Sequence, residues 1–254
     1  MGDVFGEYAW QVRTYECGPD GTATLPTICN YLQEAASLNA EALAFSKSNF
    51  AAAGENISWV LTRLKVRMVR YPRWMDAVRI VTWPRGGRRI VAWRDFLLTD
   101  ADGLEYGHAT SEWMLIDLAS RKVVAIPESV FAAANDVRQP VFGNEPFAKL
   151  RWECQTVAAN AQTFRARRGD IDLNGHVNNV RYIEWLLEGL PAGKTACRDL
   201  EIVFKSETLA GDTVNAEAVE IEPGIFVHRV SSPENHDHAI ARTTCQRNSC
   251  SMTP

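Results

Sequence analysis

The chain carries one order of elements twice: a turn, an amphipathic helix, then a run of strands. In the first copy, "LPTICNYLQEAASLNAEALAF" puts Leu25, Ile28, Leu32 and Ala35 at helical spacing, and Pro26 suits a first turn. Gly21 and Thr22 precede it as turn and cap. Strand-like runs follow. In "WVLTRLKVRMVRY", Val60, Leu64, Val66 and Met68 lie mostly opposite Arg63, Lys65 and Arg67. "AVRIVTW" and "RRIVAWRDFLLTD" come next, with "PRGG" as the expected turn between them. "ATSEWMLIDLASRKV" is a further strand after the turn "DADGLEYG". The reading is one long helix followed by an antiparallel meander.

The second copy starts with the strand candidate "QTFRAR" and the polar stretch "RRGDIDLNGHVNNVRYIEWLLEGLP". Val180, Ile183, Leu187 and Leu190 mark the helix stripe, which Gly189 and Pro191 end. "CRDLEIVFKSETL", "DTVNAEAVEIE", "GIFVHRVSS" and "HAIARTTCQR" read as its strands. A shift of 154 lays Asp20-Gly21-Thr22-Ala23 on Asn174-Gly175-His176-Val177, and a shift of 136 lays Tyr71 on Glu207 and Asp76 on Asp212. The second copy therefore holds Asp172, Asn174, His176 and Glu207 where the first holds Gly18, Asp20, Thr22 and Tyr71.

This organisation divides the 254 residues into a first half at 1–125, a connection at 126–158 and a second half at 159–254. The connection contains Pro127, Pro140 and Pro146, with a short helix expected at "PESVFAAA". A net charge of −4 argues against a global nucleic-acid-binding field. No apolar run approaches the roughly 20 residues that a membrane helix requires. The opening residues lack a basic-then-apolar signal, so a cytoplasmic location is expected. Six cysteines, at 17, 29, 154, 197, 245 and 250, form no C-x-x-C pair and read as buried or incidental thiols.

The polar stretch admits two readings. Asp, Asn and His ahead of a helix are ordinary caps, each worth about 1 kcal/mol. The same groups also suit a reaction centre. A helix start presents unpaired N–H groups and roughly half a positive charge, which favour a developing oxyanion at Val177, Asn178 and Asn179. Asp172 and Glu207 can bracket a water, with Asn174 and His176 orienting them. The period-two spacing of Asp172, Asn174 and His176 places them on one side of an extended segment. No second histidine stands at i+3 or i+4, so no metal is expected. No G-x-S-x-G supports a serine nucleophile.

"DIDLNGHVNNVRYIEWLLEGLP" resembles the signature of acyl-acyl-carrier-protein (acyl-ACP) thioesterases of the plant and bacterial type, approximately D-x-N-x-H-V-N-N-x-x-Y-I-x-W. "RYPRW", "TWPRG", "WRDFLL" and "SEWMLIDLASRK" are also similar to that family's N-terminal half, in the family's order. The resemblance implies an α+β fold, a tandem double hotdog, each half a long helix wrapped by a curved antiparallel sheet. It implies hydrolysis of fatty acyl-ACP to free fatty acid and ACP, without metal or organic cofactor. The first half would shape the acyl pocket. The second would carry the catalytic set, which transfers to Asp172, Asn174, His176 and Glu207. Plant members usually have cysteine after the glutamate, whereas this chain has Thr208 in "KSET". A cysteine nucleophile is thereby excluded there, and water activated by Glu207 or Asp172 is the expected attacker.

An acidic carrier needs a local basic surface, for which Arg63, Lys65 and Arg67 are candidates, with Arg70, Arg73, Arg85, Arg88 and Arg89 nearby in sequence. An ordinary solvated strand face is the competing reading. Acyl-CoA thioesterase and non-catalytic acyl-binding protein are the rival functions. A hotdog dehydratase lacks its complementary histidine, since Thr22 stands opposite His176 in the alignment. Monomer and homodimer are both compatible with two fused halves.

Overall fold

The structure is a computed structural model that describes residues 4–132, 134, 138–154, 160–191 and 197–245. It divides into two compact units, Met1–Pro146 and Phe147–Pro254.

In the first unit, helix α1 (Leu25–Ala42) starts where Thr24 accepts a bond from the Thr27 amide, with Pro26 in its first turn. Leu25, Ile28, Leu32, Ala35 and Ala36 are buried along one stripe. Each leucine or isoleucine among them contributes roughly 1.5–3 kcal/mol when removed from water. The helix packs on strands β1 (Gly6–Gln11) and β3 (Ala77–Arg88). A short helix, α2 (Lys47–Ala52), precedes β2 (Ile57–Met68). Strands β4 (Val91–Thr99), β5 (Glu105–Asp117) and β6 (Val123–Val124) and helix α3 (Glu128–Ala132) complete the unit. Strand order is β1-β3-β4-β5-β2, antiparallel where registered, with β6 beside β5. Alternation buries Val66, Met68, Val78, Ile80, Phe96 and Leu98.

The second unit uses β7 (Gln162–Arg165), α4 (Asn179–Glu188), β8 (Cys197–Phe204), β9 (Thr213–Glu222), β10 (Ile225–Ser231) and β11 (Asp237–Cys245). Its strands run β7-β9-β10-β11-β8, the order of the first unit's counterparts. Helix α4 packs against β7, β9 and β10. Each unit is thus a helix on an antiparallel sheet, and the chain is an α+β tandem double hotdog. The helices differ in length, 18 residues for α1 and 10 for α4.

The repeat is written in the main chain. The Val12 amide bonds to the Asp76 carbonyl at 3.0 Å, and the Ala166 amide to the Asp212 carbonyl at 2.8 Å. Ala23 bonds likewise to Pro72 at 2.8 Å, and Val177 to Thr208 at 2.9 Å. Donors in the two copies differ by the shift of 154 and acceptors by that of 136, as the sequence alignment requires.

Several expectations need correction. "PRGG" is not a turn: β3 continues through it to Arg88, with a bulge between Pro84 and Gly86. A Cβ on Gly87 would lie 2.2 Å from the Val91 carbonyl oxygen, so the glycine permits close strand pairing beside the real turn, where Arg89 has φ 38°. In α4 and just past it, Val180, Ile183 and Leu190 are buried as expected and Leu187 is half-buried, while Tyr182, Trp185 and Leu186 are buried as well, so the apolar face is wider than the expected stripe. Cys197 and Cys245 are not separate thiols but a disulfide between paired strands β8 and β11. Cys29 is a buried free thiol, and Cys17 and Cys154 are half-buried ones. Cys250 lies outside the described residues.

Gly107 faces Met68 in the β2–β5 pair, and a Cβ there would lie 2.4 Å from the Arg67 carbonyl oxygen. Gly107→Ala is therefore expected to destabilise the protein by about 1–3 kcal/mol. Thermal unfolding reads this as a lowered Tm, and an unchanged Tm would contradict it.

Candidate functional site

The polar stretch is a compact turn rather than an extended approach. The Asp172 amide bonds to the His176 carbonyl at 2.8 Å, and the Gly175 amide to the Asp172 carbonyl at 3.0 Å. Gly175 has φ +83°, which favours glycine. An isolated bridge between Ile171 and Val177 closes the turn. The expectation that Asp172, Asn174 and His176 line one side of an extended segment does not hold.

Side chains in the turn have separate tasks. Asp172 Oδ1 accepts the Asn174 amide at 2.8 Å and the His176 amide at 3.4 Å. It shapes the turn from within. Asn174 is exposed. His176 reaches out of the turn, and its Nε2 lies 3.1 Å from Oε2 of Glu207. Both groups meet solvent, with side chains 25% and 38% exposed. An imidazole and a carboxylate at this distance can share a proton while water reaches the carboxylate. The described hydrogen bonds of Asp172 all stay within its own turn.

The expected oxyanion donors are corrected for two of three residues. The Val177 amide is held by the Thr208 carbonyl at 2.9 Å and the Asn178 amide by the Asp170 carbonyl at 2.9 Å. Asn178 caps α4 by accepting the Val180 amide at 2.9 Å. The Asn179 amide has no hydrogen-bond partner among the described residues.

Asp170, which sequence reasoning did not single out, is a buried anchor. Its carboxylate accepts from the Arg167 amide at 2.7 Å and the Arg167 guanidinium at 3.1 and 3.2 Å, and Arg181 approaches to 3.8 Å. Glu16 does the same work in the first unit. It accepts the Arg13 amide at 2.7 Å, while its carbonyl takes the Thr24 amide at 3.0 Å. The 154-residue shift between Glu16 and Asp170 was the available signal.

Thr208 is fully buried, and its hydroxyl, which faces the Tyr182 phenol, makes no well-formed hydrogen bond among the described residues. It faces away from solvent while its carbonyl holds Val177. Next to it, burial pushes the Tyr182 phenol up to about 12, so Tyr182 stays protonated near neutral pH.

The basic trio meets carboxylates. Arg63, Lys65 and Arg67 do share one face of β2, on which Lys65 is buried while Arg63 and Arg67 stay partly exposed. Lys65 is buried, with Nζ 2.6 Å from Glu145 and 4.7 Å from the centre of the Phe142 ring. Arg67 lies 3.6 Å from Glu145, and Arg63 3.9 Å from Glu112. Residues 138–146, expected in the connection, supply this cover within the first unit. Each of the three is thus paired with a carboxylate, which lowers the positive charge this face presents.

Among the described residues no helix is long and apolar enough to cross a membrane, and no cluster of three or more His, Cys, Asp or Glu is placed to hold a metal ion.

A hotdog pair with a histidine–carboxylate site at one helix start defines the class, and comparison with known proteins gives the family. Residues 2–134 match the acyl-ACP thioesterase N-terminal domain, and residues 154–247 the acyl-ACP thioesterase C-terminal domain. The chain belongs to the acyl-ACP thioesterase family. It is 30% identical over 235 residues to the chloroplastic oleoyl-acyl carrier protein thioesterase 2 of Arabidopsis thaliana, an alignment covering 87% of this chain and 64% of that protein. The chain thus spans just under two thirds of that relative's length. The crystal structure of an acyl-ACP thioesterase from Bacteroides thetaiotaomicron superposes with a TM-score of 0.85 at 25% identity, covering 95% of this chain and 98% of that one. The 12:0-ACP thioesterase from Umbellularia californica shares the fold, with a TM-score of 0.86 at 22% identity over 97% of this chain and 98% of that one.

Two predictions follow from this geometry. Burial alone would raise the Asp170 carboxyl, but hydrogen bonds from Arg167 and the charges of Arg167 and Arg181 more than offset it and hold the pKa below the usual range. The resulting stability is present above the unfolded value near 3.9 and disappears as pH falls through the lower folded value. Asp170→Asn should cost about 1–3 kcal/mol at pH 7, and its Tm gap to wild type should narrow below about pH 4; a pH-independent gap would refute the charge argument. Thr208→Val removes only a buried hydroxyl that faces the Tyr182 phenol and not solvent, so turnover should be retained, with Tm changed by no more than that one contact. A folded but inactive variant would show that the hydroxyl reacts.

Proposed function

We propose that this chain is a cytoplasmic enzyme that hydrolyses the thioester of fatty acyl-ACP to free fatty acid and ACP, ending chain elongation. The observation that carries this is the solvent-reached His176–Glu207 pair, 3.1 Å apart at the start of α4, in a chain of the acyl-ACP thioesterase family. Glu207 is the better base of the two candidate carboxylates. Asp172 is occupied by two amides of its own turn, whereas Glu207 faces His176 and solvent.

In this reading Glu207, paired with His176, takes a proton from water as the water oxygen attacks the thioester carbon. The tetrahedral oxyanion draws on the free Asn179 amide and the positive end of α4. Collapse breaks the carbon–sulfur bond, and the departing thiolate takes up the proton. Asp172 preserves the turn that presents His176, and Asn174 completes the polar set. The first unit shapes the acyl pocket, and the acidic carrier docks elsewhere than on Arg63, Lys65 and Arg67.

Glu207→Gln is expected to lower kcat by roughly 10²-fold while leaving Tm near wild type. Asp172→Ala should also lower kcat, with a loss of turn stability. Hydrolysis of a series of acyl-ACP chain lengths, set beside the matching acyl-CoA thioesters, tests the substrate. Higher kcat/KM on acyl-CoA throughout would reassign the carrier, and wild-type turnover by folded Glu207→Gln would end the mechanism.

A further inference from the structure

Glu207 stands on the loop 205–212 between β8 and β9, so its distance to His176 depends on what holds that loop. At its far end the Leu209 amide bonds to the Asp212 carboxylate at 2.8 Å. At its near end the hold comes from β11. The His238 carbonyl accepts the Lys205 amide at 2.8 Å and the Ser206 amide at 3.4 Å. The buried His238 ring places Nδ1 2.9 Å from Ser206 Oγ. That hydroxyl also bonds to the Asp237 carbonyl at 3.1 Å. A carbonyl only accepts, so the single hydroxyl proton goes to Asp237 and the His238 Nδ1–H donates to Ser206. Main-chain groups of Ser206 and Glu207 also interact with the ring.

The first unit supplies a contrast. The Tyr106 carbonyl holds the Val69 and Arg70 amides at 2.8 and 3.2 Å, as His238 does for Lys205 and Ser206. There the residue at the Ser206 place is Arg70, which lies over the Tyr106 ring and bonds outward to Asp100 at 2.6 Å. The carbonyl anchor is common to both units. The serine–histidine contact occurs in the unit that has a glutamate at the next position.

We propose that His238 is a positioning residue that, through Ser206, holds the Glu207 carboxylate at hydrogen-bond distance from His176. The proposal rests on the reading of Glu207 as the base. His238 itself does not touch the reacting atoms, and Ser206 is an anchor rather than a nucleophile.

The test compares His238→Ala, Ser206→Ala and His238→Asn in the full chain, each alone and with Glu207→Gln, on acyl-ACP. His238→Ala and Ser206→Ala should each lower kcat about tenfold with KM little changed, since a misplaced catalytic group costs turnover. His238→Asn sets an amide near the Nδ1 position and should recover most of that loss. In the Glu207→Gln background, His238→Ala should add no further loss, because there is no base left to position. Unchanged kcat in folded His238→Ala or Ser206→Ala, a full added loss without Glu207, or no rescue by asparagine would each overturn the inference. Ser206→Ala keeps the test open if His238→Ala does not fold. An acyl group trapped on Ser206 and seen by mass spectrometry would also overturn it. Normal turnover by Glu207→Gln would sink the mechanism as a whole, whereas a slow Glu207→Gln beside a normal His238→Ala would sink this inference alone.

Discussion

One main-chain hydrogen bond sets the geometry of the site: the Val177 amide to the Thr208 carbonyl, 2.9 Å. It fastens the turn ahead of α4 to the loop after β8. His176 directly precedes the donor and Glu207 the acceptor, so the bond brings two residues 31 positions apart into contact. The corresponding bond from Ala23 to Pro72 sets Thr22 and Tyr71 at the matching places in the first unit. Backbone bonds of this kind are insensitive to side-chain identity. That allows one scaffold to carry a polar set in one copy and to do without it in the other.

This strap separates architecture from chemistry within a crowded sequence. Asp170 and Asn178 have working counterparts in Glu16 and Thr24, which hold the same turn and cap the same helix start. Both copies need them. Asp172, His176 and Glu207 face Gly18, Thr22 and Tyr71 in the alignment, and the first unit folds without them. The helix start has a double character too. Two of its nearest amides are spent on holding the turn together, and that of Asn179 has no hydrogen-bond partner among the described residues.

Most strands and both main helices were legible because they follow period two or 3.6, and the family motif covered the turn before α4. The repeat was legible in outline, from thin identity at two fixed offsets. Strand β1 was not read, because "GEYAWQ" is short and lacks a clean alternation. "PRGG" misled, because proline and glycine signal turns locally while a bulge and a close strand approach use the same residues. The Arg63, Lys65 and Arg67 face was legible as a face, but its cover by Phe142 and Glu145 comes from residues about 80 positions away. The disulfide and His238 escaped for the same reason, since pairing across β8 and β11 has no local signature.

The buried Thr208 side chain shows how thin the solvent-facing layer is at this loop. Its two neighbours in sequence, Glu207 and Leu209, point to solvent, while its own hydroxyl is sealed inside. Position 208 thus belongs to the interior by its side chain and to the strap by its carbonyl. A side chain there must fit a closed space, under rules of volume and polarity. The carboxylate one step earlier stands in the water-facing layer, so two adjacent residues answer to opposite surroundings.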